Sequence, residues 1–177
     1  ESTRYSALMN VETTSDRMAS RKIVAEKLDM TALELERAMA PVEGTYAVVD
    51  HAKALVFMLA EGVVPSNVKA GYLTRLLLRR AYRLLKQLGI EDRLSEIVEM
   101  QIERWSSNFP NIGEMRREIL EAVSVEERKY RDTLSRGVEL SRKIASQLRA
   151  EGRKEIPIET LVEFYDSHGI PPEIVID

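Results

Sequence analysis

Apolar stretches that alternate with capping and breaking residues predict a chain of helices joined by short links. Thr31 and Ser124 each begin a capping box, and Pro41, Gly62 and Gly89 stand where helices are expected to end. The predicted helices span roughly residues 16–28, 32–40, 45–60, 67–88, 91–106, 112–122, 125–150 and 159–168. The helix at 45–60 is apolar nearly all round, so we expect it to be buried.

This pattern predicts an all-α fold made of two packed helical subdomains. Residues 1–90 combine apolar helices with a basic helix, whereas residues 91–177 are more charged and contain the sequence YDSHGIPP. Only a short segment near residues 154–158 has an extended pattern. The low aromatic content of 6%, with 8 Gly and 6 Pro, favours helices over sheets.

Composition excludes several kinds of site. There is no cysteine, which excludes disulfides, thiol nucleophiles and cysteine metal ligands, and the 2 histidines have no acidic cluster beside them, so no metal site is expected. No apolar run approaches the ~18 residues of a membrane span, and the first residues do not resemble a signal peptide, so we expect a cytoplasmic chain. The first residue is Glu rather than Met, which suggests a piece of a longer protein.

The formal net charge of −3 conceals a strongly basic segment. Between Gly62 and Ile90 there is no acidic residue. The basic residues of this segment are Lys69, Arg75, Arg79, Arg80, Arg83 and Lys86. On a helical projection Arg75, Arg79, Arg83 and Lys86 fall within an arc of roughly 80°. Tyr72 and Tyr82 lie in or beside this arc, and the opposite, core-facing side holds Leu73, Leu77, Ala81, Leu84 and Leu88.

Two interpretations of this basic helix are open. Arginine can bond phosphate with two parallel hydrogen bonds and tyrosine can reach sugar or phosphate, so the stripe suits a polyanionic backbone such as RNA. Alternatively, the arginines pair with acidic residues of the charged second half, or simply face solvent. Composition alone does not favour either.

Two groups of motifs closely resemble alanyl-tRNA synthetase of the archaeal type. The first comprises DHAKA at 50–54, GVVPSN at 62–67 and GYLTRLLLRRA at 71–81, where the family has approximately DH-x-RAL, DG-V-x-PSN and GY-x-x-R-x-x-x-RRA. The second is LVEFYDSHGIP at 161–171, where the family has L-x-x-LYD-T-x-G-x-P. Bacterial members usually read SNEGRGY where this chain reads SNVKAGY, which leaves the role of Lys69 open.

The resemblance implies the helical tRNA-recognition region that lies between the catalytic and editing domains of the family. Neither of those domains is expected in this chain, so catalysis by it alone, and any catalytic residue in it, is not expected. The full-length family uses ATP with Mg²⁺ and alanine, and zinc in its editing domain, and this chain is expected to hold none of them. The implied partners are the acceptor stem of tRNA(Ala) and the catalytic and editing domains of the same full-length chain, without a membrane.

The resemblance also implies site residues. Asn67 and Asp166 would recognise the G·U wobble pair of the acceptor stem, because the guanine 2-amino group lacks a partner in the minor groove and a carboxylate or amide can bond it. The residues expected to bind the tRNA backbone are Lys69, Tyr72, Arg75, Arg79, Arg80, Arg83 and Lys86.

Simpler roles for these residues remain open. Asn67 could be a helix N-cap, and Asp166 could form an Asx turn before the Gly-Pro sequence. His51 could be a partly buried structural histidine, and Trp105 could be core filler. As a whole, the chain could also be a generic basic RNA-binding module or a protein-interaction scaffold.

Overall fold

The structure is a computed structural model that describes residues 17–150, 152–153 and 155–168, except for the side chains of residues 17, 163 and 165–168. This part of the chain contains α-helices and one short 3₁₀ helix but no strand, which confirms the all-α prediction. The α-helices are α1 (Arg17–Lys27), α2 (Ala32–Ala60), α3 (Lys69–Gln87), α4 (Leu94–Ser106), α5 (Pro110–Glu114), α6 (Arg116–Ala150) and α7 (Ile158–His168). The 3₁₀ helix, Glu91–Arg93, lies between α3 and α4.

Helix α2 continues through Pro41, so the prediction of two helices at 32–40 and 45–60 was wrong. Proline removes one backbone hydrogen bond from a helix interior, but tertiary contacts on both sides of it hold the turn in place here. Arg21 of α1 forms ion pairs with Glu36 at 3.8 Å and with Glu43 at 2.5 Å, one before Pro41 and one after it. These ion pairs join α1 to α2, so the residues around Pro41 do not reveal them.

Helix α6 is also continuous where a break was predicted before Ser124. Its buried positions recur every three or four residues from one side of Ser124 to the other, so a single face packs against the rest of the molecule throughout. These positions are Ile119, Val123, Glu126, Tyr130 and Leu134. The predicted capping box therefore lies inside a helix, where packing overrides the local preference of serine for a cap.

Helices α2 to α6 share one apolar cluster. It includes Leu55 of α2, Leu78 of α3, Val98 of α4, Ile112 of α5 and Ile119 of α6, all at most 1% exposed. The cluster contains residues from both sides of position 90, and the division into two subdomains there stays a prediction.

The predicted burial of the helix at 45–60 is correct on one side of α2. The buried positions in this stretch are Val48, Ala52, Leu55, Val56 and Leu59. Val49, expected among them, is 46% exposed. Among the described residues, no helix combines the length and apolar character needed to cross a membrane.

Candidate nucleic-acid interface

The link between α2 and α3 folds back onto the first turn of α3. Gly62, at φ +76°, lies where α2 ends, and the Ser66 backbone N–H donates to the Gly71 carbonyl at 3.0 Å. A Cβ at Gly71 would lie 2.2 Å from Ser66 Oγ and 2.5 Å from the Val64 carbonyl oxygen. The fold of the PSN segment therefore requires the glycine that follows it in the motif.

This fold places Asn67 at the surface, immediately before the basic helix. The N-cap position of α3 is Val68, and Asn67 is exposed beyond it. The Arg75 guanidinium donates from Nη1 to Asn67 Oδ1. Asn67 therefore uses its amide oxygen to bind a side chain two turns along α3 and does not occupy the N-cap that the simpler interpretation assigned to it.

Lys69, at the first position of α3, has a left-handed backbone with φ of +51°. This conformation favours glycine over a residue with a Cβ. Lys69 occupies the position at which the bacterial motif SNEGRGY has its first glycine. In this chain a lysine adopts that conformation, and the exposed Lys69 adds a cation beside Asn67.

Two arginines of the predicted stripe converge on one buried acid. Glu126 of α6 is 3% exposed, and its Oε1 accepts hydrogen bonds from Arg79 Nε at 3.0 Å and Arg79 Nη2 at 2.9 Å. Arg75 Nε lies 3.2 Å from the same oxygen. The Arg79 guanidinium also lies 4.8 Å from the centre of the Tyr130 ring. For these two arginines, pairing with an acid of the second half is therefore what the structure shows.

The buried face of α3 differs from the projected one. Its buried side chains are Thr74, Leu78, Ala81, Tyr82 and Leu85. Of the five residues predicted to face the core, Ala81 is buried and Leu77 and Leu84 are partly buried against the apolar cluster, whereas Leu73 is 49% exposed. Since leucines occupy nearly every side of α3, the projection alone could not identify the side that packs against α2 and α6.

The two tyrosines predicted to lie in or beside the stripe differ in their exposure. Tyr72 is 47% exposed and remains available at the surface. Tyr82 is 5% exposed and packs edge-on against Tyr130, with ring centres 5.6 Å apart, and burial raises the pKa of its phenol. The prediction that Tyr82 presents its hydroxyl beside the cations was therefore wrong.

The remaining cations of α3 lie toward solvent. Arg80 and Lys86 are exposed, and Arg83 is partly buried. A cleft of about 280 Å³ between α2 and α3 is lined by His51, Arg80, Arg83, Leu84 and Gln87. Partial burial lowers the pKa of His51, Asp50 opposes this effect, and the Arg80 charge adds to it. The cleft thus combines two guanidinium groups with an imidazole that is held toward its neutral form.

Asp166, the second residue predicted to recognise a base pair, lies on α7. Its side chain is outside the described residues, as are the Gly-Pro sequence after it and the Asx turn considered for it. Helix α7 packs against α6, and its Phe164 is 2% exposed. The helix that carries Asp166 is thus supported by the helix that supplies Glu126.

Glu126 was not among the site residues predicted from the sequence. Glu126 occupies a core position of α6 between the buried Val123 and Tyr130, at spacings of three and four residues. An acid inside an apolar repeat indicates a buried ion pair, because an unpaired charge there would be strongly unfavourable. This signal was present in the sequence but was hidden by the many charges around it.

The aromatic cluster between α2 and the α4–α5 link was also missed. Phe57 packs edge-on against Trp105, with ring centres 5.7 Å apart, and against Phe109 at 4.9 Å. Lys53 Nζ lies 4.5 Å from the centre of the Trp105 ring. Trp105 therefore packs at the edge of the core, beside a groove of about 430 Å³.

The described residues contain no group of three or more potential metal ligands.

The all-helical architecture and the PSN loop at the start of a basic helix fit a segment of an aminoacyl-tRNA synthetase. The model of the family of class II (A) tRNA synthetases matches residues 2–177, and the chain belongs to this family.

Curated relatives identify the branch of the family. The chain is 49% identical to the alanine–tRNA ligase of Pyrococcus abyssi over 175 residues, which is 99% of this chain and 19% of the relative. It is 46% identical to the alanine–tRNA ligase of Thermococcus kodakarensis over 177 residues, 100% of this chain and 19% of the relative. It is 44% identical to that of Methanothermobacter thermautotrophicus over 175 residues, 99% of this chain and 20% of the relative. The chain thus spans about a fifth of the length of these archaeal relatives, and the predicted resemblance to alanyl-tRNA synthetase is confirmed.

Proposed function

We propose that this chain is the tRNA-recognition region of an alanine–tRNA ligase, which binds the tRNA(Ala) acceptor stem and recognises its G·U pair. The main observation in support is the position of Asn67, whose exposed amide is fixed by Arg75 at the start of a helix that presents cations to solvent. A base-reading group beside phosphate-binding groups is the arrangement that recognition of a specific duplex needs.

The chemistry of the G·U pair suits an amide and a carboxylate. A-form RNA has a wide, shallow minor groove that side chains can enter, and the guanine 2-amino group of a G·U pair has no partner there. The Asp166 carboxylate can accept from that group, and Asn67 can donate or accept. Near a stem without the free amino group, the Asp166 charge would face phosphates and weaken binding.

Binding of the backbone falls to the exposed cations. Arg80 and Lys86 present their charges to solvent, with Lys69 at the start of the helix and Arg83 lining the His51 cleft. Arg75 and Arg79 share the single charge of Glu126, so they contribute less free positive charge than the sequence suggested. The assignment of Arg75 and Arg79 to tRNA backbone binding stays a prediction. We expect these two arginines to contribute less to that binding than the other cations of the stripe.

The test is a binding assay with two acceptor-stem hairpins that differ only in G·U or G·C. The wild-type chain should prefer the G·U stem by about tenfold or more, since a base contact is worth about 1–3 kcal/mol. Asn67→Ala and Asp166→Ala should each bring this preference close to one. Asn108→Ala, which removes another exposed asparagine far along the chain, should leave it unchanged.

Substitutions of the exposed cations should behave differently. Arg80→Ala and Lys86→Ala should weaken both stems alike and each reduce the slope of log K against log salt by about one. Equal affinity of the wild-type chain for both stems would instead indicate a generic RNA-binding module. An absence of binding at ~50 mM salt, where phosphate attraction is strong, would indicate a protein-interaction scaffold.

We further propose that the reactions of the full-length ligase take place in its other domains. ATP with Mg²⁺, alanine and the editing zinc would be bound by catalytic and editing domains that act with this region. We expect the 177-residue chain alone to show no aminoacylation, and activity of the purified chain would contradict this part of the proposal.

A further inference from the structure

Glu126 forms more contacts than a simple ion pair between two helices. Arg79 provides two hydrogen bonds to its Oε1 and stacks on Tyr130, so this arginine already compensates much of the buried charge. Arg75 approaches the same oxygen through Nε, and its Nη1 extends in the other direction, to Asn67. Arg75 is therefore the member of the cluster that connects the buried acid to the exposed loop.

The chemistry of arginine determines how the Asn67 amide is turned. A guanidinium group has donors only, so the amide atom that faces Arg75 must be the oxygen. The amide nitrogen then points away from Arg75, and Asn67 lies at the surface. Arg75 is 19% exposed in its side chain, and its Nε lies 3.2 Å from an oxygen of Glu126, which is 3% exposed, without forming a hydrogen bond to it. The buried carboxylate therefore restrains the guanidinium that sets this orientation through charge.

We propose, on the basis of the function proposed above, that Glu126 is a positioning residue for base-pair recognition. Through Arg75 it fixes the Asn67 amide with Nδ2 outward, so that Asn67 acts as a donor toward an acceptor on the minor-groove edge, a uracil O2 or a guanine N3. Recognition of the guanine 2-amino group is then left to an acceptor such as Asp166.

A fixed donor matters because G·U and G·C pairs both carry acceptors on this edge. The wobble pair displaces its two bases relative to each other, so the acceptors occupy different positions in the two pairs. An amide that rotates freely could follow either position, whereas an amide that is locked by Arg75 fits one of them. Loss of the lock should therefore reduce discrimination more than affinity.

The main variant is Glu126→Gln, and its matched control is Glu127→Gln. Glu127 is the next residue, and it pairs at 2.9 Å with Arg131 of the same helix, whose side chain is 45% exposed. Glu126→Gln should lower the G·U preference about fivefold or more and change affinity for the G·C stem by about twofold or less, because one contact is worth about tenfold in discrimination. Glu127→Gln should leave both quantities unchanged.

A second measurement does not depend on RNA. The two Nδ2 proton signals of Asn67, assigned by their loss in Asn67→Ala, should shift in Glu126→Gln and stay in place in Glu127→Gln. A role of Glu126 in folding alone would lower the melting temperature without moving these signals in the folded protein.

Two further variants keep the proposal testable if Glu126→Gln does not fold. Arg75→Lys keeps the charge but cannot bridge Glu126 and Asn67 together, so it should lose discrimination as Glu126→Gln does. Asn67→Asp has the same shape but presents an acceptor in place of the outward Nδ2, so it should bind the G·U stem no better than Asn67→Ala.

The outcomes distinguish a failure of the positioning role of Glu126 from a failure of the proposed tRNA-recognition function. If Asn67→Ala abolishes the G·U preference while Glu126→Gln and Arg75→Lys retain it, the positioning role is wrong and the proposed function stands. If the wild-type chain shows no preference but the Asn67 signals move in Glu126→Gln, the proposed function fails and the link from Glu126 to Asn67 stands. If Asn67→Asp discriminates like the wild type, Asn67 does not act as a donor.

Discussion

At the scale of single residues, Gly71 determines whether the Asn67 loop can form. The loop returns to the first turn of α3 so closely that no Cβ fits at this position without movement of the Val64 carbonyl. Gly44 is also helical, but a Cβ there would meet Leu88 and Leu84 at ordinary contact distances of 3.9–4.0 Å. A close contact therefore requires glycine at position 71 but not at position 44, and substitution by alanine distinguishes the two positions.

We expect Gly71→Ala to lower the free energy of unfolding by about 1–3 kcal/mol, because the loop must shift or the contact must be strained. Gly44→Ala should leave it unchanged or raise it by up to about 1 kcal/mol, because alanine is the better helix former. Urea denaturation measures both values. A Gly71→Ala variant as stable as the wild type, with unchanged RNA discrimination, would contradict the role given to this glycine.

At the scale of elements, α2 shows how packing can override a strong local signal. Pro41 interrupts the hydrogen bonding of α2, and the Arg21 ion pairs hold the helix on either side of it. Pro110, by contrast, stands at the first turn of α5, where a proline costs a helix nothing. The two prolines thus provide a matched pair for measuring the cost of Pro41.

Pro41→Ala should stabilise the chain by about 1–2 kcal/mol, since the restored helical hydrogen bond outweighs the greater freedom of the unfolded chain. This gain corresponds to a rise in melting temperature of roughly 2–8 °C. Pro110→Ala should give no such rise. Equal melting temperatures for Pro41→Ala and the wild type in calorimetry would mean that α2 is not strained at Pro41.

The cleft between α2 and α3 makes a prediction about pH. In the free chain the pKa of His51 is lowered, chiefly by burial, so His51 is neutral at neutral pH. As pH falls below the ordinary value of about 6.5, the unfolded chain takes up the proton first, which disfavours the fold. A phosphate between His51 and Arg80 would favour the charged imidazole and raise this pKa. RNA binding should therefore take up a proton and strengthen as pH falls from about 7.5 toward the lowered pKa.

An NMR titration of the His51 ring, with and without the G·U stem, checks this prediction. The signal that is lost in His51→Gln belongs to His51 and is thereby distinguished from that of His168, the other histidine of the chain. In His51→Gln the affinity for RNA should depend less on pH than in the wild type. A His51 pKa that is the same in free and bound protein would exclude a phosphate at this cleft.

At the scale of the whole molecule, the features that the sequence predicted well are those set by neighbouring residues. The capping box of Thr31 is present, with the Glu34 side chain accepting from the Thr31 backbone at 2.8 Å. Gly62 and Gly89 have positive φ values just after α2 and α3, as a helix-ending role requires. Each of these depends on a few consecutive residues, which the sequence displays directly.

The features that the sequence did not predict depend on contacts between distant elements. The buried side of α3 follows from its packing against α2 and α6, the continuity of α6 from its packing against several helices, and the pairing of Arg75 and Arg79 from the position of Glu126 on α6. No local pattern in α3 distinguishes an arginine that will meet Glu126 from one that will face solvent. Motif resemblance made Asn67 a candidate site residue, and the structure adds that the Arg75 guanidinium binds its amide oxygen.

Because α6 is one continuous helix, its number of residues matters as much as its composition for the position of α7. Each residue of an α-helix adds about 1.5 Å and turns the chain by about 100°. A substitution on the exposed side of α6 would leave Glu126 and the α7 contact in their relative places. A single inserted residue between them would rotate α7, and Asp166 with it, by more than a quarter of a turn about the α6 axis. The number of residues in this helix therefore specifies how α7, which carries Asp166, lies relative to Glu126, and insertions or deletions should be tolerated there far less than changes of residue type.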